Sequence, residues 1–259
     1  MTEWDAVNYV RRSGLQEAMA AEVLALLYLA GSERVLDIGC GDGRVTAGIA
    51  SRLPQGSVLG VDASREMIAF AKEHANLPNL EFQVANAADL PFHDEFDLVV
   101  SINALHWMPD PNPPVRGIRA ALKVTGLAQL RLVVDGERKS LETVIEETRH
   151  LAKWAVYFRD FRDPYLHVTP EQYAAAVERN GLHVERIHVS SKVWDFQSRE
   201  NFLASCKVTL VEWTRQLPET EKSAFINDVL DRYQQVVAER PGEENTFKFY
   251  QMDVTLTSK

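Results

Sequence analysis

The chain has 259 residues, of which 46% are hydrophobic and 25% charged, so it is long enough to bury a full core in one large domain. Its formal net charge is −9, and its basic residues are scattered rather than clustered into a stripe. The protein therefore offers no basic patch to which a phosphate backbone could bind, and a nucleic acid is not the expected substrate.

The first half of the sequence alternates between helical and strand patterns. Apolar residues recur at helical spacing over residues 17–30, and Gly31 ends that pattern. Short apolar runs predict five parallel strands, at residues 34–38, 58–61, 80–84, 96–101 and 127–134. Helices are predicted between them, with lengths typical of right-handed crossovers, at residues 44–53, 64–74 and 114–122.

The second half departs from this alternation. Two further strands are predicted at residues 182–189 and 247–256, as an antiparallel pair at the sheet edge, and helical stretches at 137–158, 200–216 and 219–239. The predicted fold is α/β: a doubly wound, Rossmann-like, mostly parallel seven-stranded sheet with an antiparallel edge strand and a helical cap. We expect one domain over residues 1–259. Its core comprises residues 17–136, 182–190 and 246–257, and its cap residues 1–16, 137–181 and 191–245.

The strongest local signal is a strand that runs into a glycine loop and then into a helix. The loop carries Gly39, Gly41 and Gly43 after Asp37, and glycines let a ligand approach the backbone closely. Asp62 falls at the carboxyl end of the next strand, where a carboxylate can accept hydrogen bonds from both hydroxyls of a ribose. Glycines can also form a purely structural turn, but together with Asp62 they predict a nucleoside pocket.

The glycine spacing separates two classes of nucleoside cofactor. Dinucleotide enzymes use Gly-x-Gly-x-x-Gly, and here the third glycine is one position early. Asp37 and Asp42 would also be poor neighbours for a pyrophosphate. A nicotinamide-dependent dehydrogenase is therefore the disfavoured alternative.

An acidic residue followed by Gly-x-Gly-x-Gly resembles the first motif of the class I S-adenosylmethionine-dependent methyltransferases. The similarity continues through residues 86–89 and the strand at 96–101, so its specific motifs fall within residues 34–134. The resemblance implies S-adenosylmethionine as the cofactor. The residues that it implies for cofactor binding are Asp37, Gly39, Gly41, Gly43, Asp62, Ala63, Met67, Ala88, Asp89 and Asn103.

Within that set, the resemblance implies that the glycines approach the methionine portion and that Asp62 holds the ribose. Ala88 and Asp89 would recognise adenine, and Asp37 would orient the loop or the cofactor ammonium group. Met67 can pack against the adenine or belong to the core. Asp97, at the start of a buried strand, is assigned to a structural hydrogen bond with a neighbouring turn.

Residues 103–110 follow the fourth strand, where open α/β sheets bind their ligands. His106 can accept a proton or hydrogen-bond an oxyanion, and Trp107 can supply an apolar wall, although both are compatible with core packing. In the predicted cap, Arg159 or Arg162 can clamp a carboxylate or be a solvated surface residue. The larger aromatics Trp194, Trp213 and Phe225 are predicted to be core residues.

The Leu-His-Trp segment, together with Trp4, Tyr9 and Gln16, is similar to the trans-aconitate and juvenile-hormone-acid methyltransferase group. This implies O-methylation of a small carboxylic acid. Together with the two arginines of the cap, the candidate substrate-binding residues are Tyr9, Gln16, His106, Trp107, Arg159 and Arg162. His106, the candidate catalytic residue, would orient a carboxylate, or act as a base for a phenol, alcohol or amine. A noncatalytic cofactor-binding protein and other acceptor classes remain alternatives.

The rest of the composition bears on location and metals. No stretch approaches the roughly 18 consecutive apolar residues of a membrane span, so we expect a cytoplasmic protein without a membrane partner. Cys40 and Cys206 are too few for a disulfide framework and lack the paired spacing of zinc ligands, so no metal is expected.

Overall fold

Seven strands of one sheet form the centre of the molecule, in the order β3-β2-β1-β4-β5-β7-β6. The computed structural model describes Met19 and residues 22–258. The strands are β1 (Arg34–Ile38), β2 (Ser57–Asp62), β3 (Leu80–Val84), β4 (Phe96–Ile102), β5 (Leu122–Val134), β6 (Leu182–Asp195) and β7 (Thr246–Ser258). The first five pair in parallel, and β7 runs antiparallel to both β5 and the edge strand β6. The predicted fold class is confirmed.

Eight α-helices follow or connect these strands in the described part of the chain. They are α1 (Arg44–Ala50), α2 (Arg65–His74), α3 (Asn112–Ala121), α4 (Leu141–Arg149), α5 (Pro170–Arg179), α6 (Arg199–Thr209), α7 (Val211–Thr214) and α8 (Glu219–Val237). Residues 22–26 are also helical and precede β1. No helix in these ranges is both long and apolar enough to cross a membrane.

The parallel strands form because both of their faces are covered. The last four residues of β1 and most of β4 are buried, as the continuous apolar runs of these strands predict. Asp97 has a structural role as expected, but its partner is a strand and not a turn: its Oδ2 accepts a hydrogen bond from the backbone N–H of Arg34, the first residue of β1, at 2.9 Å. Lys123 forms an ion pair with the same carboxylate at 2.8 Å. These contacts hold the beginnings of β1, β4 and β5 together.

Several predicted boundaries are wrong. The strand predicted at residues 127–134 begins at Leu122, and β6 continues to Asp195, so residues 191–195 belong to the sheet. The helix predicted at 137–158 is the shorter α4, followed by a 3-10 turn at Ala155–Tyr157. Trp194 is only half-buried because it lies on the edge strand, whereas Trp213 and Phe225 are fully buried as predicted.

One of the buried apolar clusters joins the end of β5 to the cap. It joins Val133 of β5 and Phe249 of β7 to cap residues that include Trp154, Trp213 and Phe225. Trp107, in the segment after β4, packs against this cluster. The cap thus rests directly on the part of the sheet where β4 and β5 end.

Candidate active site

The glycine loop is shaped by two glycines that face different surroundings. Gly39 and Gly41 have φ angles of +74° and +53°, a region that side chains rarely adopt. A Cβ on Gly39 would lie 2.1 Å from the Cβ of Ala104, in the segment after β4, so the two segments pack in direct contact. A Cβ on Gly41 would meet nothing within 4 Å. Gly39 is therefore needed for packing, and Gly41 leaves open space above the loop.

Asp62 links the end of β2 to this loop. Its Oδ2 accepts a hydrogen bond from the backbone N–H of Gly41 at 3.0 Å, and its Oδ1 accepts one from Ser64 at 2.9 Å. The backbone N–H of Gly39 also donates to the carbonyl of Val61 at 2.7 Å. These bonds fix the carboxylate beside the loop, at the carboxyl ends of β1 and β2.

Asp37 is a buried acid beneath the same loop. Its side chain accepts a hydrogen bond from the Thr46 hydroxyl at 2.7 Å. Burial raises the pKa of Asp37 to about 7, and the nearby Asp62 carboxylate adds to the rise, while the Thr46 bond opposes it. A cationic group bound here would stabilise the ionised form of Asp37.

A cavity of about 770 Å³ opens over these residues, at the carboxyl ends of β1 to β4. It brings together eight of the ten predicted cofactor-binding residues: Asp37, Gly39, Gly41, Asp62, Ala63, Met67, Ala88 and Asn103. Gly43 and Asp89 are not among its described lining residues. Gly43 packs beneath the loop, since a Cβ there would lie 2.7 Å from Phe82, and Asp89 is exposed.

The described lining is acidic. Asp42 and Asp110 add two carboxylates to Asp37 and Asp62, and the one basic residue is Arg44. Asp42 accepts hydrogen bonds from Arg44 Nε at 2.8 Å, and its Oδ2 forms an ion pair with Arg44 Nη2 at 2.7 Å. This pair is not predicted from the sequence, because Asp42 precedes the helix and the turn at Gly43 decides where its side chain lies.

Asn103 marks the end of β4. It has a φ of +55°, and its backbone N–H donates to the carbonyl of Arg131 on β5 at 2.8 Å. Its side-chain Nδ2 contacts Met19 Sδ at 3.6 Å, and its buried Oδ1 has no partner among the described residues. A hydrogen-bond acceptor is thus left unsatisfied in the lining.

His106 and Trp107 lie in a 3-10 turn, Leu105–Trp107, yet they face different environments. Trp107 lines the cavity, and so do Met108 and Pro109, which sequence analysis did not single out. His106 is not among the described lining residues. Its Nδ1 accepts a hydrogen bond from the backbone N–H of Val133 at 3.2 Å. Burial lowers the pKa of His106 to about 3, so its imidazole is neutral. We expected this side chain to face the acceptor, and the structure instead places it between β5 and the cap.

The remaining substrate-side candidates are not among the described residues that line the cavity. Arg159 and Arg162 are exposed and absent from the described lining. Tyr9 and Gln16 lie outside the described residues. Leu24, from the helical residues before β1, lines the cavity without having been predicted there. The roles of these four polar residues stay predictions.

Comparison with known proteins gives consistent results. A family model described as a methyltransferase domain matches residues 35–126. Trans-aconitate 2-methyltransferases from Deinococcus radiodurans and Shigella dysenteriae are each 28% identical to this chain; the first match covers 95% of both chains, the second 95% of this chain and 93% of the relative.

A solved structure has the same fold. It is the phosphoethanolamine N-methyltransferase 2 of Haemonchus contortus in complex with S-adenosyl-L-methionine, with a TM-score of 0.62 and 16% identity. The match covers 98% of this chain and 57% of that one. The chain is an S-adenosylmethionine-dependent methyltransferase.

The cavity of this methyltransferase fits its cofactor in charge and shape. S-adenosylmethionine carries a cationic sulfonium and an ammonium group, and four carboxylates line the described cavity. The open space at Gly41 allows close approach to the loop backbone.

Proposed function

We propose that this methyltransferase transfers a methyl group to a carboxylate oxygen of a small carboxylic acid. The supporting observation is the absence of a neutral-pH base on the acceptor side of the described lining. That side consists of residues after β4, including an apolar wall made by Trp107, Met108 and Pro109. Its titratable member is Asp110, whose pKa is lowered by hydrogen bonds from the backbone and side chain of Asn112. A carboxylate is already ionised at neutral pH and needs no base, unlike a phenol or an alcohol.

The relatives point to the same acceptor chemistry. Trans-aconitate, which names two relatives that match nearly the whole chain, is a carboxylic acid. A substrate with several carboxylates would need several cationic side chains to bind it. The described lining has one, Arg44, and its guanidinium is paired with Asp42. We therefore propose an acid with an apolar body facing Trp107 and Met108.

We assign the cofactor to the predicted residues at the ends of β1 to β4. Asp62 would accept hydrogen bonds from the ribose hydroxyls, and Ala63 lies beside it. Asp37 would face the cationic groups, with Gly39 and Gly41 below the methionine portion. The adenine end would contact Met67, Ala88 and Asp89. Gly43 would support the loop from below, and Asn103 would offer its unsatisfied Oδ1 to a donor of the cofactor.

The cofactor supplies a methyl group that is already electrophilic on its sulfonium sulfur. The chain's own task is then to align the acceptor and exclude water. Trp107, Met108 and Pro109 would hold the apolar body of the acid beyond the end of β4. His106 would act behind this surface, by fixing the turn that carries Trp107.

A screen with labelled S-adenosylmethionine tests the proposed acceptor. We expect methyl esters from carboxylic acids with apolar bodies. With cofactor saturating, kcat/KM for the acceptor should depend little on pH between about 6 and 9, because the acceptor is ionised throughout. Methylation of amines or phenols alone, with a rate that rises with pH, would reject the carboxylate. Cofactor binding without transfer to any acceptor would favour a noncatalytic protein.

Asp62→Ala tests the ribose assignment. We expect cofactor affinity to fall by about 1.5–3 kcal/mol, the range for hydrogen bonds to a charged group. Isothermal titration calorimetry on the folded variant measures this. Glu66→Ala is the control, because Glu66 is an exposed acid on α2 outside the lining, and its removal changes the net charge equally. An unchanged dissociation constant for Asp62→Ala, or an equal loss in both variants, would refute the assignment.

A further inference from the structure

Trp107 connects the cavity to the cap. Trp107 lines the cavity, and its indole meets two cap aromatics. The ring of Tyr165 contacts it edge-on, with centroids 5.4 Å apart and planes at 90°, and the ring of Trp213 lies 6.1 Å away at 61°. These are favourable geometries for aromatic pairs. The position of the Trp107 indole therefore depends on residues that do not line the cavity.

Both supporting residues are firmly held. Trp213 is fully buried, and its indole N–H donates to Glu146 Oε1 at 2.7 Å. Glu146, on α4, also forms an ion pair with Arg149 at 2.6 Å. Tyr165 is buried as well, and its backbone N–H donates to Asp163 at 2.9 Å. A rigid support behind Trp107 leaves the indole little room to withdraw from the cavity.

We propose that Trp213 and Tyr165 are specificity-determining residues that set the size of the acceptor pocket through Trp107. This inference rests on the proposed role of Trp107 as the wall of that pocket. A smaller side chain at either position leaves free volume behind the indole, and close-packed neighbours partly relax into such volume. Trp107 then moves toward the cap, and the acceptor side of the cavity widens.

The chain offers a matched control for this test. Trp154 is also a fully buried cap tryptophan, and its indole N–H donates to Asp228 Oδ2 at 2.9 Å. Its ring neighbours are Tyr157 and Phe225, not Trp107. Trp213→Phe and Trp154→Phe thus remove the same atoms and the same kind of hydrogen bond, and only the first removes support from Trp107.

The experiment measures kcat/KM for a graded series of acceptors that differ by single methylenes, taken from whichever acceptor class the screen identifies. For Trp213→Phe we expect the ratio of kcat/KM for larger over smaller acceptors to rise about tenfold, the discrimination typical of one methylene. Tyr165→Leu should shift the ratio in the same direction. Trp154→Phe should leave it unchanged, and cofactor affinity should be unaltered in all three. An equal shift in the Trp213 and Trp154 variants, or no shift in either, would overturn the proposal.

A second readout does not depend on the acceptor. In protein labelled with 5-fluorotryptophan, the ¹⁹F resonance of Trp107 is assigned by its loss in Trp107→Phe. We expect that resonance to move in Trp213→Phe and to stay in place in Trp154→Phe. If carboxylic acids are not substrates but the resonance moves and the size ratio shifts, the acceptor class is wrong and the support role stands. If acids are substrates but neither readout responds, the support role is wrong.

Discussion

Gly39→Ala should destabilise the protein by about 2–4 kcal/mol. Overpacking a filled site costs about 1–3 kcal/mol, and a side chain in the left-handed region adds about 1 kcal/mol. Both costs apply because Gly39 has a φ of +74° and its Cβ would lie 2.1 Å from the Ala104 Cβ. Urea denaturation monitored by circular dichroism measures the free energy of unfolding.

The two contributions can be separated with a second substitution. Ala104→Gly removes the atom that Gly39→Ala would strike and leaves the Ala104 Cα, 3.6 Å away, as the next neighbour. The double variant should therefore regain the stability that overpacking removes, and only the loss of about 1 kcal/mol from backbone strain should remain. If the stability losses of the two single variants instead add up in the double variant, the loop after β1 and the segment after β4 do not meet as the structure shows.

Gly41→Ala provides the contrasting result at a neighbouring position. A Cβ there meets no atom within 4 Å, so the free energy of unfolding should fall by only about 1 kcal/mol. The added methyl group points into the space assigned to the cofactor, so binding should weaken. A stable Gly41→Ala variant with unchanged cofactor affinity would contradict our placement of the cofactor over the loop.

Those features of the fold that are encoded locally could be predicted from the sequence. Strand β1 and the glycine loop form one contiguous sequence pattern, and the length of the next apolar run places Asp62 at the end of β2. The sequence therefore predicts that the carboxylates of Asp37 and Asp62 lie at the same edge of the sheet, and both line the cavity. Helix α5 was missed although its signal was present: Thr169 and Gln172 form a capping box around Pro170.

Other features depend on contacts between distant parts of the chain. Arg131 is only 1% exposed and pairs with Asp253 at 2.6 Å, across two antiparallel strands far apart in sequence. No local pattern distinguishes such an arginine from a solvated one. The same limit applies to Arg159 and Arg162, for which the sequence leaves both a carboxylate clamp and a solvated surface position open; both side chains are exposed.

The segment after β4 shows the limit at single-residue resolution. Periodicity assigns residues to faces over several turns of helix or strand, whereas Leu105–Trp107 is one 3-10 turn. Neighbouring side chains in so short a turn diverge, and tertiary contacts decide which one faces the ligand. Trp107 reaches the cavity, and His106 binds the backbone of Val133.

His106→Ala should destabilise the protein by about 2–4 kcal/mol, because it removes a buried ring and leaves the Val133 N–H without its acceptor. His106→Asn offers an amide oxygen in place of Nδ1 and should be milder. The pH dependence gives the sharper test. Burial lowers the pKa of His106 in the folded protein to about 3, below its ordinary value of 6.5. The stability that the neutral ring contributes is therefore present above pH 6.5 and lost as the pH falls toward 3.

Urea denaturation at pH 8 and pH 4.5 should then show a larger loss of stability on acidification for the wild type than for His106→Asn, which has no imidazole to protonate. His150→Asn is the control for replacing a histidine with asparagine, because His150 is exposed. The pH profile of kcat/KM, with cofactor saturating, should contain no ionisation from His106 between pH 5 and 9. A step near pH 6.5 that disappears in His106→Asn would instead place the imidazole on the acceptor as a base. Because a ring with a pKa of about 3 is too weak a base to deprotonate a hydroxyl at neutral pH, we expect the profile to lack that step.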